Sequence, residues 1–234
     1  HLVTTGENLR QTLIKENGFP AGHITSVPTG IDLDYFTPGN KQLARSRLSL
    51  DQESFIVGIV ATLRSWKGHR YLIEAFSRFS DSNSLLLVVG DGPQWNALHE
   101  LARELGVQER VMFTGRQDNV AEWMQAMDIF CLPSYANEGV PQALMQSQSC
   151  GIPAITTLNG SINEAVIPGE TAIIVTPQDS ASLLDALEQV RADTDTLAEM
   201  SGKAVDNARK HFSSERMLES MTNIFTTATR HRNG

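Results

Sequence analysis

The chain has 234 residues, 41% hydrophobic and 20% charged. That is enough to bury a sizeable core and too apolar for a disordered or collagen-like polymer. Its net charge of −8 and pI near 5.2 exclude a general nucleic-acid surface, because phosphate backbones demand a basic face. No run approaches the ~18 apolar residues of a membrane helix, and no charged–apolar–small pattern opens the chain.

His1-Leu2-Val3-Thr4-Thr5 reads as the back half of a strand already under way, so a preceding segment is expected. Residues 6–17 predict a helix, and "HITSVPTGIDLDYFTPGN" at 23–40 is a connection punctuated by Pro and Gly. Six apolar runs follow: 55–60, 85–89, 111–113, 128–132, 153–156 and 172–175. They are near-continuous rather than alternating, as in strands buried on both faces. Helical stripes separate most of them: Tyr71, Leu72, Ala75, Phe76 and Phe79, then Trp95, Leu98, Leu101, Ala102 and Leu105, and later Leu183, Leu184, Leu187 and Val190. Such alternation requires parallel strands with crossover helices. The fold class is therefore α/β, a doubly wound, Rossmann-like parallel sheet of about six strands with a helical C-terminal tail from about residue 179. Met217, Leu218, Met221, Ile224, Phe225 and Ala228 give the last helix an apolar face. Cys131, inside an apolar strand, and Cys150, at a helix end, read as reduced buried thiols of a cytosolic protein.

In an open parallel sheet, ligands bind beyond the carboxyl ends of the strands. After the first apolar run, Thr62-Leu63-Arg64-Ser65-Trp66-Lys67-Gly68 places two cations before a helix. That is either a diphosphate site or an exposed basic loop. "VGDGP" at 89–93 turns into a helix with Pro93 at its expected first position. It has Trp95 where a dinucleotide fingerprint needs its third glycine, which leaves a dehydrogenase without support. After "DIFCL", Glu138-Gly139-Val140-Pro141 leads into another helix. A carboxylate beside free helix amides can grip a sugar hydroxyl and a phosphate together, though a capped helix start with an exposed acid reads equally well. Asp32-Leu33-Asp34 and Asp193-Thr194-Asp195 spell D-x-D but lie away from strand ends, and the six His residues show no ligand spacing.

Taken in order, Val27-Pro28-Thr29-Gly30-Ile31-Asp32, Arg64-x-x-Lys67-Gly68, Val89-Gly90-Asp91-Gly92-Pro93, Phe113-Thr114-Gly115, Glu138-Gly139-Val140-Pro141 and Cys150-Gly151-Ile152-Pro153 resemble the retaining GT-B glycosyltransferases of family 4. The likeness covers nearly the whole chain. It implies that residues 1–22 are a remnant of the N-terminal acceptor domain, 23–40 the interdomain connection and 41–212 the donor nucleotide-sugar-binding domain. Residues 213–234 would then be a C-terminal helix packing on the remnant. It also implies catalytic roles for Arg64, Lys67 and Glu138: the two cations neutralise the donor diphosphate and the acid binds sugar hydroxyls. The family arginine often lies upstream, where this chain has Ala61 and Thr62, so Arg64 is a substitute. Gly139, Val140, Gln142 and Ala143 form the donor-binding helix entry. Gln146 stands where the family's second glutamate meets the ribose, and Arg116 and Gln117 lie where it meets the base.

The implied reaction is retaining sugar transfer from a nucleoside-diphosphate sugar, a UDP-sugar in the first instance, to a hydroxyl acceptor, in lipopolysaccharide, capsule or other glycoconjugate synthesis. No cofactor and no metal is implied. The implied partners are the nucleotide sugar and the absent N-terminal acceptor domain, with no nucleic acid. Any membrane contact is assigned to that domain, the location is cytoplasmic, and this chain alone is expected to be inactive. A sugar-nucleotide epimerase of the same fold is a rival for which no catalytic acids are evident. A non-catalytic nucleotide-binding module is a second rival, favoured by Gln146.

Overall fold

The computed structural model describes residues 1–136 and 138–230, with side chains in the final helix described as far as Thr227. Strand β1 (Leu2–Thr4), helix α1 (Glu7–Lys15) and strand β2 (Ile24–Ser26) form a small unit in which the two strands pair in parallel, Leu2 opposite Ile24. This unit runs past the boundary expected at residue 22. After a connection, α2 (Lys41–Arg47) leads into the main sheet.

That sheet is built by β3 (Phe55–Val60), α3 (His69–Arg78), β4 (Ser84–Val89), α4 (Trp95–Glu104), β5 (Val111–Gly115), α5 (Val120–Gln125) and β6 (Ile129–Leu132). Then come α6 (Gln142–Ser149), β7 (Ala154–Thr156), β8 (Ala172–Ile174) and three helices, α7 (Ser180–Ala192), α8 (Thr194–His211) and α9 (Ser214–Arg230). All six strands are parallel, in the order β5-β4-β3-β6-β7-β8. Each apolar run read from the sequence is one of these strands. Trp95 rather than Pro93 begins α4, because Gln94 takes the cap position.

Side chains alternate across the strands with period two. Phe55, Val57 and Ile59 of β3, with Leu86, Ile129 and Cys131, meet α3, α4 and α7 on one face. Ile56, Leu87, Phe130 and Leu132 meet residues of α2, α5, α6 and α8 on the other. Phe76 and Phe130 are fully buried, each contributing about 2 kcal/mol. Gly58 leaves room for the Met127 thioether, which a Cβ there would strike. Leu105, placed on a buried stripe by its spacing, is 40% exposed because α4 has already ended. Both cysteines are free and buried, and burial raises both thiol pKa values, that of Cys150 to about 12.

The connection and the C-terminal helices are tied together. Ile31 N–H donates to Phe212 O at 2.7 Å, and Ser214 N–H donates back to Ile31 O at 3.0 Å. The first turns of α9 thereby lie on residues 26–31, and Gly30 N–H reaches Met217 Sδ at 3.1 Å. Along the same helix Leu218 is 59% and Phe225 63% exposed. Ala228, the last position of the apolar stripe, lies outside the residues whose side chains are described.

Candidate active site

From β3 the chain crosses to α3 on one face, and from β6 it crosses to α6 on the other. Strand order therefore reverses between β3 and β6, and a crevice opens at their carboxyl ends. Its geometry begins with the β3 exit. Leu63 is fully buried and pinned to the β4 exit, its N–H donating to Asp91 O and its carbonyl accepting from Gln94 N–H, both at 3.0 Å. Ser65–Lys67 then form one 3-10 turn that ends at Gly68, whose φ of +81° is left-handed. A Cβ at Gly68 would strike the Pro133 carbonyl, so glycine lets the β3 and β6 exits touch. Tyr135 N–H seals the contact by donating to Trp66 O at 2.9 Å.

This contact delivers Lys67 to Glu138. The ammonium donates to Oε2 at 2.9 Å and sits 2.8 Å from Oε1. Both carboxylate oxygens therefore lie within ion-pair reach of the same ammonium, and Oε1 is buried. The side chains of Lys67 and Glu138 are 20% and 12% exposed. Beside them Pro141 caps α6 with no side-chain hydrogen bond, so the first amides of the helix, at Gln142 and Ala143, have no intrahelical acceptor. Lys67, Glu138, Gly139, Val140, Gln142, Ala143 and Gln146 all line one crevice of about 420 Å³. A cation, a positive helix end and a carboxylate suit a ligand carrying both phosphate and hydroxyl groups.

Other expected residues lie elsewhere. The Arg64 guanidinium sits 5.4 Å over the Trp66 ring and lines a separate cavity of about 190 Å³, with His69 and Tyr135. It turns away because Leu63 is locked inward and the next residue along the extended strand exit faces outward. Arg116 is exposed in an adjoining opening with Thr62, Gly90, Asp91 and Gly92. Thr62 lines both openings, which makes them neighbours along one edge. The Gln117 amide donates to Thr114 O at 2.8 Å and so braces its own turn. Sequence reading passed over Thr62, which lies where the family arginine was sought, and Gly160 and Ser161, which hold Glu138 from behind. Ser161 N–H donates to Glu138 O at 2.8 Å. The dipeptide Asn159-Gly160 was the available signal, since Asn-Gly marks a turn.

The D-x-D acids are used locally. Asp32 Oδ1 accepts from the N–H groups of Asp34 and Tyr35, each at 3.0 Å, and Asp193 caps α8 through Thr196 N–H at 3.0 Å. Among the described residues no cluster of His, Cys, Asp and Glu is arranged to hold a metal, and no helix is long and apolar enough to cross a membrane. A larger cavity, about 540 Å³, opens at the amino ends of the strands. Its central charges are committed to each other: Asp128 accepts from Lys41 at 2.6 Å, Arg45 at 2.7 Å and Ile56 N–H at 2.7 Å.

Residues 40–211 match the family model of the glycosyl transferases group 1. The chain belongs to that family. A D-inositol 3-phosphate glycosyltransferase of Corynebacterium aurimucosum is 32% identical, over 97% of this chain and 56% of the relative. Among solved structures, Anabaena HepE in complex with UDP superposes with a TM-score of 0.90 at 22% identity, covering 96% of this chain and 63% of that one. WaaG, a glycosyltransferase involved in lipopolysaccharide biosynthesis, gives 0.84 at 20% identity, covering 94% and 61%. These structures are GT-B glycosyltransferase neighbours of this group 1 domain and confirm its α/β fold. The chain spans about half the length of the curated relatives it matches.

Proposed function

We propose that the chain is the donor half of a retaining GT-B glycosyltransferase of family 4, which binds a nucleoside-diphosphate sugar and presents it to a hydroxyl acceptor held by an N-terminal domain. The observation that carries this reading is the Lys67–Glu138 pair beneath the open end of α6, at the switch point of the sheet. On donor binding, Lys67 exchanges one carboxylate oxygen for a diphosphate oxygen. Glu138 then turns its oxygens to the sugar hydroxyls. Transfer breaks the bond between the anomeric carbon and the diphosphate and forms one to the acceptor oxygen on the same face, and the acceptor's proton passes to the departing diphosphate oxygen. Lys67 and the α6 amides stabilise the charge that develops on the leaving diphosphate, so this reading assigns no metal.

UDP is the nucleotide of first choice because the structural neighbour HepE was crystallised with UDP and with UDP-glucose. Gln146, on the crevice wall, is assigned to the ribose, and Arg116, across Thr62, to the base side. Arg64 contributes only if it leaves the Trp66 ring. We assign residues 1–26 to the N-terminal domain and the full protein to glycoconjugate synthesis on the cytoplasmic side, the glycoconjugate role in line with the structural neighbour WaaG, which is involved in lipopolysaccharide biosynthesis. Acceptor positioning can supply many kcal/mol of a transfer barrier, so the chain alone binds donor but does not turn over.

Calorimetry with UDP and UDP-glucose, with and without EDTA, tests the assignment. Binding retained on chelation, with the sugar adding affinity, is the expected result. Loss of binding on chelation overturns the metal-free assignment, and failure to bind any nucleoside diphosphate overturns the donor site.

A further inference from the structure

The carboxylate that faces the crevice is held from behind by a chain of contacts that leads to the N-terminus. Helix α1 begins at Gly6, which has extended backbone and no side chain to cap the helix. Its first two amides donate instead to a residue far along the chain: Glu7 N–H to Glu164 Oε2 at 2.7 Å and Asn8 N–H to Glu164 Oε1 at 3.1 Å. Both carboxylate oxygens thus sit on the positive end of α1, a charge-assisted arrangement. The Asn8 side chain adds bonds to Gly160 O at 2.5 Å and Asn163 Oδ1 at 3.3 Å.

The turn gripped in this way is the one that touches Glu138. Gly160 is left-handed, with φ of +64°, and lies so close to the Glu138 main chain that any Cβ would collide with it. Ser161 N–H donates to Glu138 O at 2.8 Å. Gly6 packs closely on the same turn: a Cβ there would lie 2.7 Å from Ser161 Oγ. The start of α1 is therefore joined to the 160–164 turn, and that turn to the Glu138 main chain, although neither α1 nor Glu164 lines the crevice.

We propose that Glu164 is a positioning residue: by fastening the start of α1 to the 160–164 turn, it fixes the main chain of Glu138 and so makes affinity for the donor sugar depend on the N-terminal segment. The inference rests on the assignment of Glu138 to the sugar. It makes a contact between the N-terminal unit and the donor domain part of the binding site's construction. Breaking the clamp from either side loosens Glu138 while leaving Lys67 and the α6 amides in place.

The test compares the 234-residue chain with Glu164→Ala, Glu164→Gln, Asn8→Ala and Glu138→Ala. Each is measured for UDP and UDP-glucose affinity and for hydrogen exchange at the amides of Glu138, Gly139, Val140 and Ser161. Glu164→Ala and Asn8→Ala are expected to weaken UDP-glucose by about tenfold, the factor that 1.4 kcal/mol represents, and to leave UDP within about twofold. They should speed exchange at those four amides but not in β3. Glu164→Gln, which keeps one amide oxygen as acceptor, should recover part of both effects. Their double variant should fall short of the sum, since they break one clamp. Equal losses for both ligands, or exchange unchanged at the four amides in a folded Glu164→Ala, overturn the proposal. If Glu138→Ala costs UDP and UDP-glucose alike, the donor assignment fails, and the exchange measurement still decides whether Glu164 positions Glu138.

Discussion

Lys67 and Glu138, 71 residues apart in sequence, meet across the switch point with the ammonium 2.8 to 2.9 Å from the two carboxylate oxygens. Without ligand each neutralises the other, and both keep most of their surface from water. The pair is thus a stored version of the charges that a diphosphate sugar would meet: one cation for phosphate and one anion for hydroxyls. Because the partners are coupled, removing either has consequences for binding and for stability that can be separated.

Lys67→Ala should weaken UDP binding by about 1.5–3 kcal/mol, the scale of a hydrogen bond to a charged group. Arg64→Ala should cost much less, since its guanidinium lies over Trp66 outside the crevice. Calorimetry on the two variants checks the order. A larger loss for Arg64→Ala would show that this side chain swings inward when ligand binds.

Glu138→Ala should spare bare UDP, or strengthen it slightly, because Lys67 is released from its carboxylate. Its effect should appear on UDP-glucose, through the lost acceptor for sugar hydroxyls, as a loss of about 1.5–3 kcal/mol. Competition binding between the two ligands reads the difference directly.

Gln146 lies half-buried on α6 along the crevice wall. Gln146→Glu should bind UDP at least as tightly as the parent, because an ionised acceptor makes stronger hydrogen bonds to ribose hydroxyls. Marked weakening, with the melting temperature unchanged, would move the ribose elsewhere.

His69, the first residue of α3, is buried, with the Arg64 backbone as the polar group beside its ring. Burial first, and the nearby Lys67 charge second, hold its pKa down to about 4 from an ordinary 6.5. The folded state therefore refuses a proton that the unfolded state accepts below pH 6.5. Stability from this group is complete above pH 6.5 and is lost as pH falls toward 4, by up to about 3 kcal/mol. Urea unfolding across this range should be steeper in pH for the parent than for His69→Leu, and parallel curves would refute it.

Asp128 gathers Lys41, Arg45 and the Ile56 amide at the amino ends of the strands, away from the crevice. Arg45 has only 5% of its side chain exposed, so Asp128→Ala leaves a buried guanidinium without its counter-ion. The cost should be about 3 kcal/mol, or about 10 °C in Tm. UDP affinity should be unchanged at temperatures where the variant is folded.

The six strands of the main sheet were legible because each is a continuous apolar run between turn residues, and α3, α4, α7 and α9 because their apolar stripes repeat at 3.6 residues, whereas β2, Ile24-Thr25-Ser26, has no such run and reads as connection. Lys67 and the Glu138–Gln146 segment were legible too, since the loop after a parallel strand is where such sheets bind ligands and each signal lies within a dozen residues. Residue type and local spacing sufficed for these. What the tertiary structure alone decided involves backbone direction or long separations. Arg64 and Lys67 are three residues apart and chemically alike, yet the locked Leu63 and the left-handed Gly68 send one outward and the other into the crevice. Leu105 kept the spacing of a buried face but fell beyond the end of its helix. The Lys67–Glu138 pair and the grip of Glu164 on α1 join residues 71 and 157 positions apart. Such contacts leave no period or local pattern in a single chain, because they exist only once the sheet has brought the loops together.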